Sequence, residues 1–145
     1  MNRAEKRRQQ KLAEKAAKKT ADAQLALSIA KQYHAAGQFP QAESIYKKVL
    51  RTDPGHLETL HLLGALSLQV GEFDVAVELI TRALALKPDF TEAHANLGSA
   101  LQDMGLLDEA LASFQEALLI DPESAKTFNN IGFVLLPMCY ENTES

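Results

Sequence analysis

The chain has 145 residues and a formal net charge of −4, with 46% hydrophobic residues, few aromatic residues and no tryptophan. This composition excludes a disordered chain, and no apolar run reaches the roughly 18 residues that a membrane-spanning helix needs. One cysteine, Cys139, excludes an internal disulfide bond and every metal site built from several cysteines. With no apolar run behind its basic N-terminus to form a signal peptide, a cytoplasmic all-α protein is the simplest expectation.

The first element in chain order is a basic segment, residues 1–22. It carries eight lysines or arginines against three acidic residues, about +5, so the remaining residues carry about −9. Its alanine, lysine and glutamate content favours a helix, and we expect a solvated extension that is either helical or disordered. Because it lacks aromatic residues and an apolar face, binding to nucleic acid or an anionic membrane is a less favoured alternative.

The middle of the chain repeats itself with a period of 34 residues. The stretches "GQFPQAESIYKKVLRTDPGH", "GEFDVAVELITRALALKPDF" and "GLLDEALASFQEALLIDPES" begin at Gly37, Gly71 and Gly105. Each glycine suits a tight turn between two amphipathic helices, and a proline ends the second helix each time. We therefore predict antiparallel helix pairs in units 23–56, 57–90 and 91–124, and a partial unit 125–136 followed by a tail, 137–145.

The partial fourth unit departs most from the pattern. Pro137 is expected to end its first helix, and no second helix follows to cover Phe128, Ile131, Val134 and Leu135. Three interpretations stay open. The chain is a truncated or frameshifted piece of a longer array, or the helix mediates self-association, or it packs its apolar face on the third unit.

These residues resemble the tetratricopeptide repeat, a 34-residue helix–turn–helix unit. The resemblance rests on residues at the same offsets in each unit: Ala26, Ile29, Ala30, Tyr33, Ala42, Tyr46 and Pro54; Leu60, Leu63, Gly64, Ser67, Ala76, Ile80 and Pro88; His94, Leu97, Gly98, Leu101, Ala110, Phe114 and Pro122; and Phe128, Ile131, Gly132 and Leu135. Ala26 and His94 replace a large apolar residue, and Ser67 replaces an aromatic one. The family implies a right-handed α-solenoid of antiparallel helix pairs.

No constellation of catalytic residues is visible. His56 and His61 are five residues apart and so lie on different faces of a helix, and the carboxylates gather at helix ends, where capping explains them. Glycines never cluster into a phosphate-binding loop. We predict no enzyme, no metal and no cofactor.

The resemblance implies that the first helices of successive units line a concave groove that binds a protein or peptide. The residues predicted to contact the partner are Lys31, His61, Asn96, Ser99, Gln102 and Asn130. Some relatives hold a carboxylate with lysines, arginines and asparagines at positions that are occupied here by His61, Ala65, Ala95 and Ser99, which argues against a carboxylate clamp.

Asn96 and Asn130 fall one period apart, in "HANLG" and "FNNIG". They resemble the asparagine ladder of O-linked N-acetylglucosamine transferases, whose amides hold an extended peptide backbone. The main prediction is a noncatalytic scaffold that binds a protein or peptide. An alternative is the substrate-recognition portion of a longer bacterial protein with a glycosyltransferase-like domain.

Overall fold

The structure, a computed structural model, describes residues 2–141, and the side chains of residue 133 and of residues 136–141 lie outside the description. Within these residues the chain forms seven α-helices and no strand. The helices are α1 (Arg3–Ala35), α2 (Phe39–Thr52), α3 (Leu57–Gln69), α4 (Phe73–Leu86), α5 (Thr91–Asp103), α6 (Leu107–Ile120) and α7 (Ala125–Glu141). The predicted all-α architecture of helix pairs is confirmed.

Each pair is joined by the same turn. Gly37, Gly71 and Gly105 adopt φ values of +74°, +83° and +81°, a region that only glycine enters without strain. In the turn after α3, the amide of Glu72 donates to the carbonyl of Ser67, and this six-residue closure recurs in the other two turns. The period in the sequence therefore becomes a period in backbone geometry.

The chain divides into two compact units, residues 1–54 and 55–145. In the first unit, α1 packs against α2, and Leu27 and Ala30 of α1 are buried together with Ala42, Tyr46 and Val49 of α2. The Tyr46 hydroxyl lies 3.2 Å from Nδ1 of His34. This hydrogen bond gives a buried phenol a polar partner within the unit.

The N-terminal half of α1 differs from the rest of the first unit. Residues 3–22 are all exposed, although they continue the same helix without a break. Asn2 and Glu5 form a capping box: the amide of Glu5 donates to Asn2 Oδ1 over 2.9 Å, and the amide of Asn2 donates to Glu5 Oε2 over 3.3 Å. The basic segment is thus a capped helix in which every residue from 3 to 22 is exposed.

In the second unit, α3 to α7 pack so that each helix contacts the next one along the chain. The core of this unit contains the fully buried Leu60, Ile80 and Phe114, and small residues let the helices approach one another. A Cβ atom added to Gly98 would lie 2.5 Å from Cε1 of Phe114. Glycine at this position is therefore a packing requirement.

The last helix, α7, ends later than the sequence predicts, and only part of its apolar surface is buried. Pro137 does not end α7, which continues to Glu141, because the loss of one backbone donor near a helix end interrupts only one hydrogen bond. Val134 is fully buried against the α5–α6 pair, whereas Phe128 and Leu135 remain 56% and 40% exposed. The side chain of Cys139 and residues 142–145 of the expected tail lie outside the described residues.

Candidate functional site

Most of the residues predicted to contact a partner lie on three first helices of the second unit. α5 contacts both α3 and α7, so these helices lie side by side. His61 belongs to α3, Asn96, Ser99 and Gln102 belong to α5, and Asn130 belongs to α7. Lys31 belongs to α1 in the first unit, where it is exposed and holds the repeat position that Ser99 holds in the third repeat.

Asn96 is the most deeply placed polar residue of α5. Its side chain is only 9% exposed, and its amide makes no hydrogen bond with the part of the chain that the structure describes. An amide carries donors and an acceptor that ordinarily find partners when buried. Asn96 therefore has hydrogen-bonding capacity that an external group can use.

The neighbouring predicted residues differ in how free their polar atoms are. The Ser99 hydroxyl donates to the carbonyl of Ala95 over 3.1 Å, so its single donor is already used in a hydrogen bond within α5. Gln102 and Asn130 are half-buried, with Asn130 one repeat after Asn96. Asn96, Gln102 and Asn130 each carry a side-chain amide, which offers both donors and an acceptor, and the two asparagines hold the same position in successive repeats.

His61 lies in a mixed apolar and charged environment. Its ring centroid is 4.6 Å from that of Phe90, and its Nδ1 is buried with no hydrogen-bond partner among the described residues. Burial lowers the pKa of His61 below its ordinary value of 6.5. The positive charge of Lys126 lowers this pKa further, whereas the negative charges of Glu92 and Glu58 raise it in part. Burial therefore favours the neutral form of the imidazole.

A polar cleft of about 480 Å³ lies in the second unit next to these helices. It is lined by the first residues of α5 and α7 and by the segments before them: Lys87, Asp89, Phe90, Thr91, Glu92, Ala95, Asp121, Ser124, Lys126 and Thr127. Lys87 Nζ lies 5.2 Å from the Phe90 ring centroid, within reach of a cation–π contact. The cleft combines one aromatic wall with charges of both signs.

Phe90 was missed by the sequence analysis, although a signal for it exists. His56, Phe90 and Ser124 precede α3, α5 and α7 at the same repeat position. His56 and Ser124 each accept a hydrogen bond from the backbone amide three residues later, as helix-capping residues do. Phe90 cannot cap α5 with its side chain. An aromatic residue at a position that caps the helix in the other repeats is therefore a sequence signal for a different role.

The remaining histidines have local partners. His56 Nδ1 lies 2.9 Å from the hydroxyl of Thr59, and His94 Nε2 lies 2.8 Å from the carbonyl of Pro88. Among the described residues no group of three or more histidine, cysteine or acidic side chains is arranged to hold a metal ion. None of the described helices is both long and apolar enough to cross a membrane.

Family profiles for the tetratricopeptide repeat match residues 25–58, 59–92 and 91–124, which together span residues 25–124. The chain belongs to the tetratricopeptide repeat family. This agrees with the turn glycines and the packed helix pairs described above. No protein of curated function matches the sequence significantly.

Several solved structures share the fold. An O-GlcNAc transferase variant from Thermobaculum terrenum is 30% identical, with a TM-score of 0.77 over 81% of this chain but only 22% of the transferase. MamA from Desulfovibrio magneticus is 22% identical, with a TM-score of 0.77 over 83% of this chain and 68% of MamA. The second repeat domain of human RPAP3, in complex with an HSP70 peptide, is 19% identical, with a TM-score of 0.75 over 80% of this chain and 97% of that domain. These likenesses confirm the predicted class, an α-solenoid of helix pairs.

Proposed function

We propose that the chain is a noncatalytic scaffold that binds a protein or peptide segment in an extended conformation along α3, α5 and α7. The observation that carries this proposal is Asn96, whose amide is nearly buried yet makes no hydrogen bond within the described part of the chain. The peptide complex of the human RPAP3 repeat domain supports a ligand of this class on this fold. At 19% identity that likeness concerns the fold alone.

Asn96 and Asn130 are suited to hold a peptide backbone. One side-chain amide donates to a backbone carbonyl and accepts from a backbone N–H at the same time, whatever side chains the peptide carries. Helices in contact lie about 8–10 Å apart, and three residues of extended chain span about 10 Å. We therefore expect the two amides to hold peptide groups about three residues apart.

The other predicted residues and the cleft would select side chains. His61 offers a ring that packs against Phe90 at a tilted angle, and Lys126 and Glu92 provide charges close by. Ser99 and Gln102 extend the polar surface of α5. In the first unit, Lys31 occupies the corresponding exposed position of α1, and we propose that it also contacts the partner.

Backbone recognition can be tested with modified peptides. Peptides selected from a random-sequence library against the intact chain would be resynthesised with single backbone N-methyl groups or single alanine substitutions. We expect N-methylation at two positions about three residues apart to weaken binding about tenfold or more, because each methyl removes a donor that an asparagine uses. Alanine substitutions at the same positions should matter less.

Variants of the chain complete this test. Asn96→Asp keeps the shape of the side chain but removes its donor, and Asn130→Ala removes the second amide. We expect each to weaken binding roughly tenfold, whereas Gln115→Ala, an exposed position on α6, should leave binding unchanged. Binding that is indifferent to both asparagines, or to every N-methyl group, contradicts the proposal.

A second candidate function follows from the transferase likeness. At 30% identity over 81% of this chain, the repeats are similar to a region that makes up 22% of an O-GlcNAc transferase chain. We propose as the alternative that the chain is the substrate-recognition portion of a longer transferase. The reading frame downstream of the Ser145 codon tests it: a glycosyltransferase domain in frame supports the alternative, and an immediate stop codon argues against it.

A further inference from the structure

The first unit carries a separate cleft, of about 390 Å³, between α1 and α2. Four lysines line it, three from α1 and one from α2: Lys15, Lys18, Lys19 and Lys48. Asp22 is the single acidic residue among the lining residues, which leaves a surplus of three positive charges. Ligand pockets in proteins have volumes of roughly 300–1,000 Å³, so this space is large enough to hold part of a ligand.

The floor of the cleft is apolar. Ala23 and Ala26 of α1 face Ile45 and Val49 of α2, and these four side chains carry no polar atom. Lys19 Nζ donates to the carbonyl of Thr52 over 3.2 Å, which fixes one lysine at the rim near the end of α2. The cleft therefore combines an apolar floor with lysines from both helices, which a uniformly charged surface does not.

The repeat pattern explains why this space exists. Ala26 occupies the fourth position of its repeat, where the second repeat carries Leu60, and Leu60 is fully buried. A leucine at residue 26 would project into the space that the alanine leaves open. Lys15, Lys18 and Lys19 follow a three- and four-residue spacing, so the exposed extension of α1 presents them on one face beside it.

We propose that this cleft is a docking site for an acidic peptide segment that inserts one large apolar side chain between flanking carboxylates. The apolar floor would receive the side chain, and the lysines would pair with the carboxylates. From Lys15 to Ala26 the helix rises about 16 Å, which matches about five residues of extended chain. This site goes beyond the proposed function, since it lies in the first unit and uses none of the asparagines.

A peptide occupant fits the cleft better than nucleic acid or a bilayer. Phosphate backbones need cations but no apolar floor, and the lining residues offer no aromatic ring on which a base could stack. A bilayer surface is flat on this scale and would meet the lysines without filling the space between the helices. Both remain outcomes of the test.

The probe is a C-amidated peptide of sequence Asp-Glu-Phe-Glu-Asp that carries fluorescein on its N-terminal amine, so the peptide chain has no terminal carboxylate. Its binding to the intact chain would be followed by fluorescence anisotropy at about 0.15 M salt. We expect saturable binding, and about tenfold weaker binding when glycine replaces the phenylalanine of the probe. Equal binding of the two peptides overturns the apolar part of the proposal.

Two variants with a matched control locate the site. Ala26→Leu fills the cleft without changing charge and should weaken binding about tenfold. Lys18→Gln with Lys48→Gln removes one lysine from each helix and should weaken binding about fivefold or more. Lys6→Gln with Lys11→Gln removes the same charge from α1 outside the cleft and should change binding less than about twofold.

Circular dichroism shows whether each variant folds, and the lysine pair keeps the test decisive if Ala26→Leu does not. If the Lys18→Gln, Lys48→Gln variant and the Lys6→Gln, Lys11→Gln control lose the same amount of probe binding, the probe is attracted by net charge alone and the proposal is overturned. It is also overturned if phosphatidylglycerol vesicles or duplex DNA bind and the probe does not. Self-association that Ala26→Leu abolishes, seen by sedimentation without probe binding, assigns the cleft to a second copy and overturns it too.

Discussion

Gly98 of α5 lies directly against the ring of Phe114 on α6, with no room for a side chain between them. A Cβ atom at residue 98 would meet three ring atoms at 2.5–2.8 Å, and the ring is fully buried. The same repeat position in the second repeat is Gly64, where the nearest atom would be Cγ1 of Ile80 at 2.9 Å. Gly132 of α7 would meet nothing within 4 Å.

These three glycines give a graded prediction for alanine substitution. Gly98→Ala should lower the free energy of unfolding by about 1–2 kcal/mol, because a buried ring has little freedom to move aside. Gly64→Ala should cost less, since the Ile80 side chain can change rotamer. Gly132→Ala should raise stability by roughly 0.5–1 kcal/mol, because alanine is the better helix former.

Thermal unfolding followed by circular dichroism checks this order. Gly132→Ala serves as the internal control, since it makes the same chemical change at the same repeat position. If all three variants were equally stable, close packing at Gly98 would not be the reason for glycine there.

The turn glycines obey a different rule, which gives a second prediction. Gly71 has a φ of +83° and open space around its Cα atom, so a side chain there meets strain in the backbone and no steric clash. Gly71→Ala should therefore lower stability by about 1–2 kcal/mol, whereas Gly71→Asn should cost less because asparagine tolerates the left-handed region better. Urea unfolding of the two variants distinguishes backbone strain from steric crowding, which would penalise the larger asparagine more.

His61 makes stability depend on pH. Because burial lowers its pKa in the folded state below 6.5, the unfolded chain binds a proton more readily than the folded chain. The contribution is fully present above pH 6.5 and is lost as the pH falls from there through the lowered pKa. Wild-type protein should therefore lose more stability between pH 7.5 and pH 5 than His61→Gln, measured by melting temperature.

The variant retains the other three histidines, so the difference between the two proteins isolates His61. An identical pH response in both would show that His61 does not titrate differently on folding. A larger loss in His61→Gln would reverse the sign and contradict the buried, neutral imidazole.

The exposed half of α1 leads to a fourth prediction. Residues 3–22 are exposed, so deletion of residues 2–14 should change the free energy of unfolding by less than about 0.5 kcal/mol. The helical signal in circular dichroism should fall, because thirteen residues leave the chain while the buried core stays. A large loss of stability would mean that the extension packs on the remainder of the protein in solution.

The sequence was sufficient for the fold because each repeat marks its own boundaries. Glycines 34 residues apart require the turns, and Pro54, Pro88 and Pro122 follow the ends of α2, α4 and α6. Pro137 misled the same reasoning, since a proline lowers the stability of a helix locally but does not dictate where it ends. Local rules work where several of them agree and fail where one stands alone.

The candidate site was predictable only in part, for a physical reason. Periodicity places Asn96 and Asn130 on first helices, and burial adds that the amide of Asn96 is unused. The contact between His61 and Phe90 joins residues 29 positions apart and depends on how α3 packs beside α5, which no spacing rule contains. The lysine-lined cleft likewise depends on the packing of α1 against α2, because the small side chain of Ala26 leaves space between the two helices.

The pairing of Gly64 with Ile80, and of Gly98 with Phe114, has a consequence for how such arrays grow and recombine. In the second and third repeats the first helix is fitted to the second helix of its own repeat, so a first helix exchanged between these two repeats would meet a side chain of different shape. The turns at Gly37, Gly71 and Gly105, in contrast, have the same backbone geometry, so they do not distinguish one repeat from another. A 34-residue unit that contains a first helix and its own second helix therefore keeps these glycine contacts when the unit is duplicated or moved along the array.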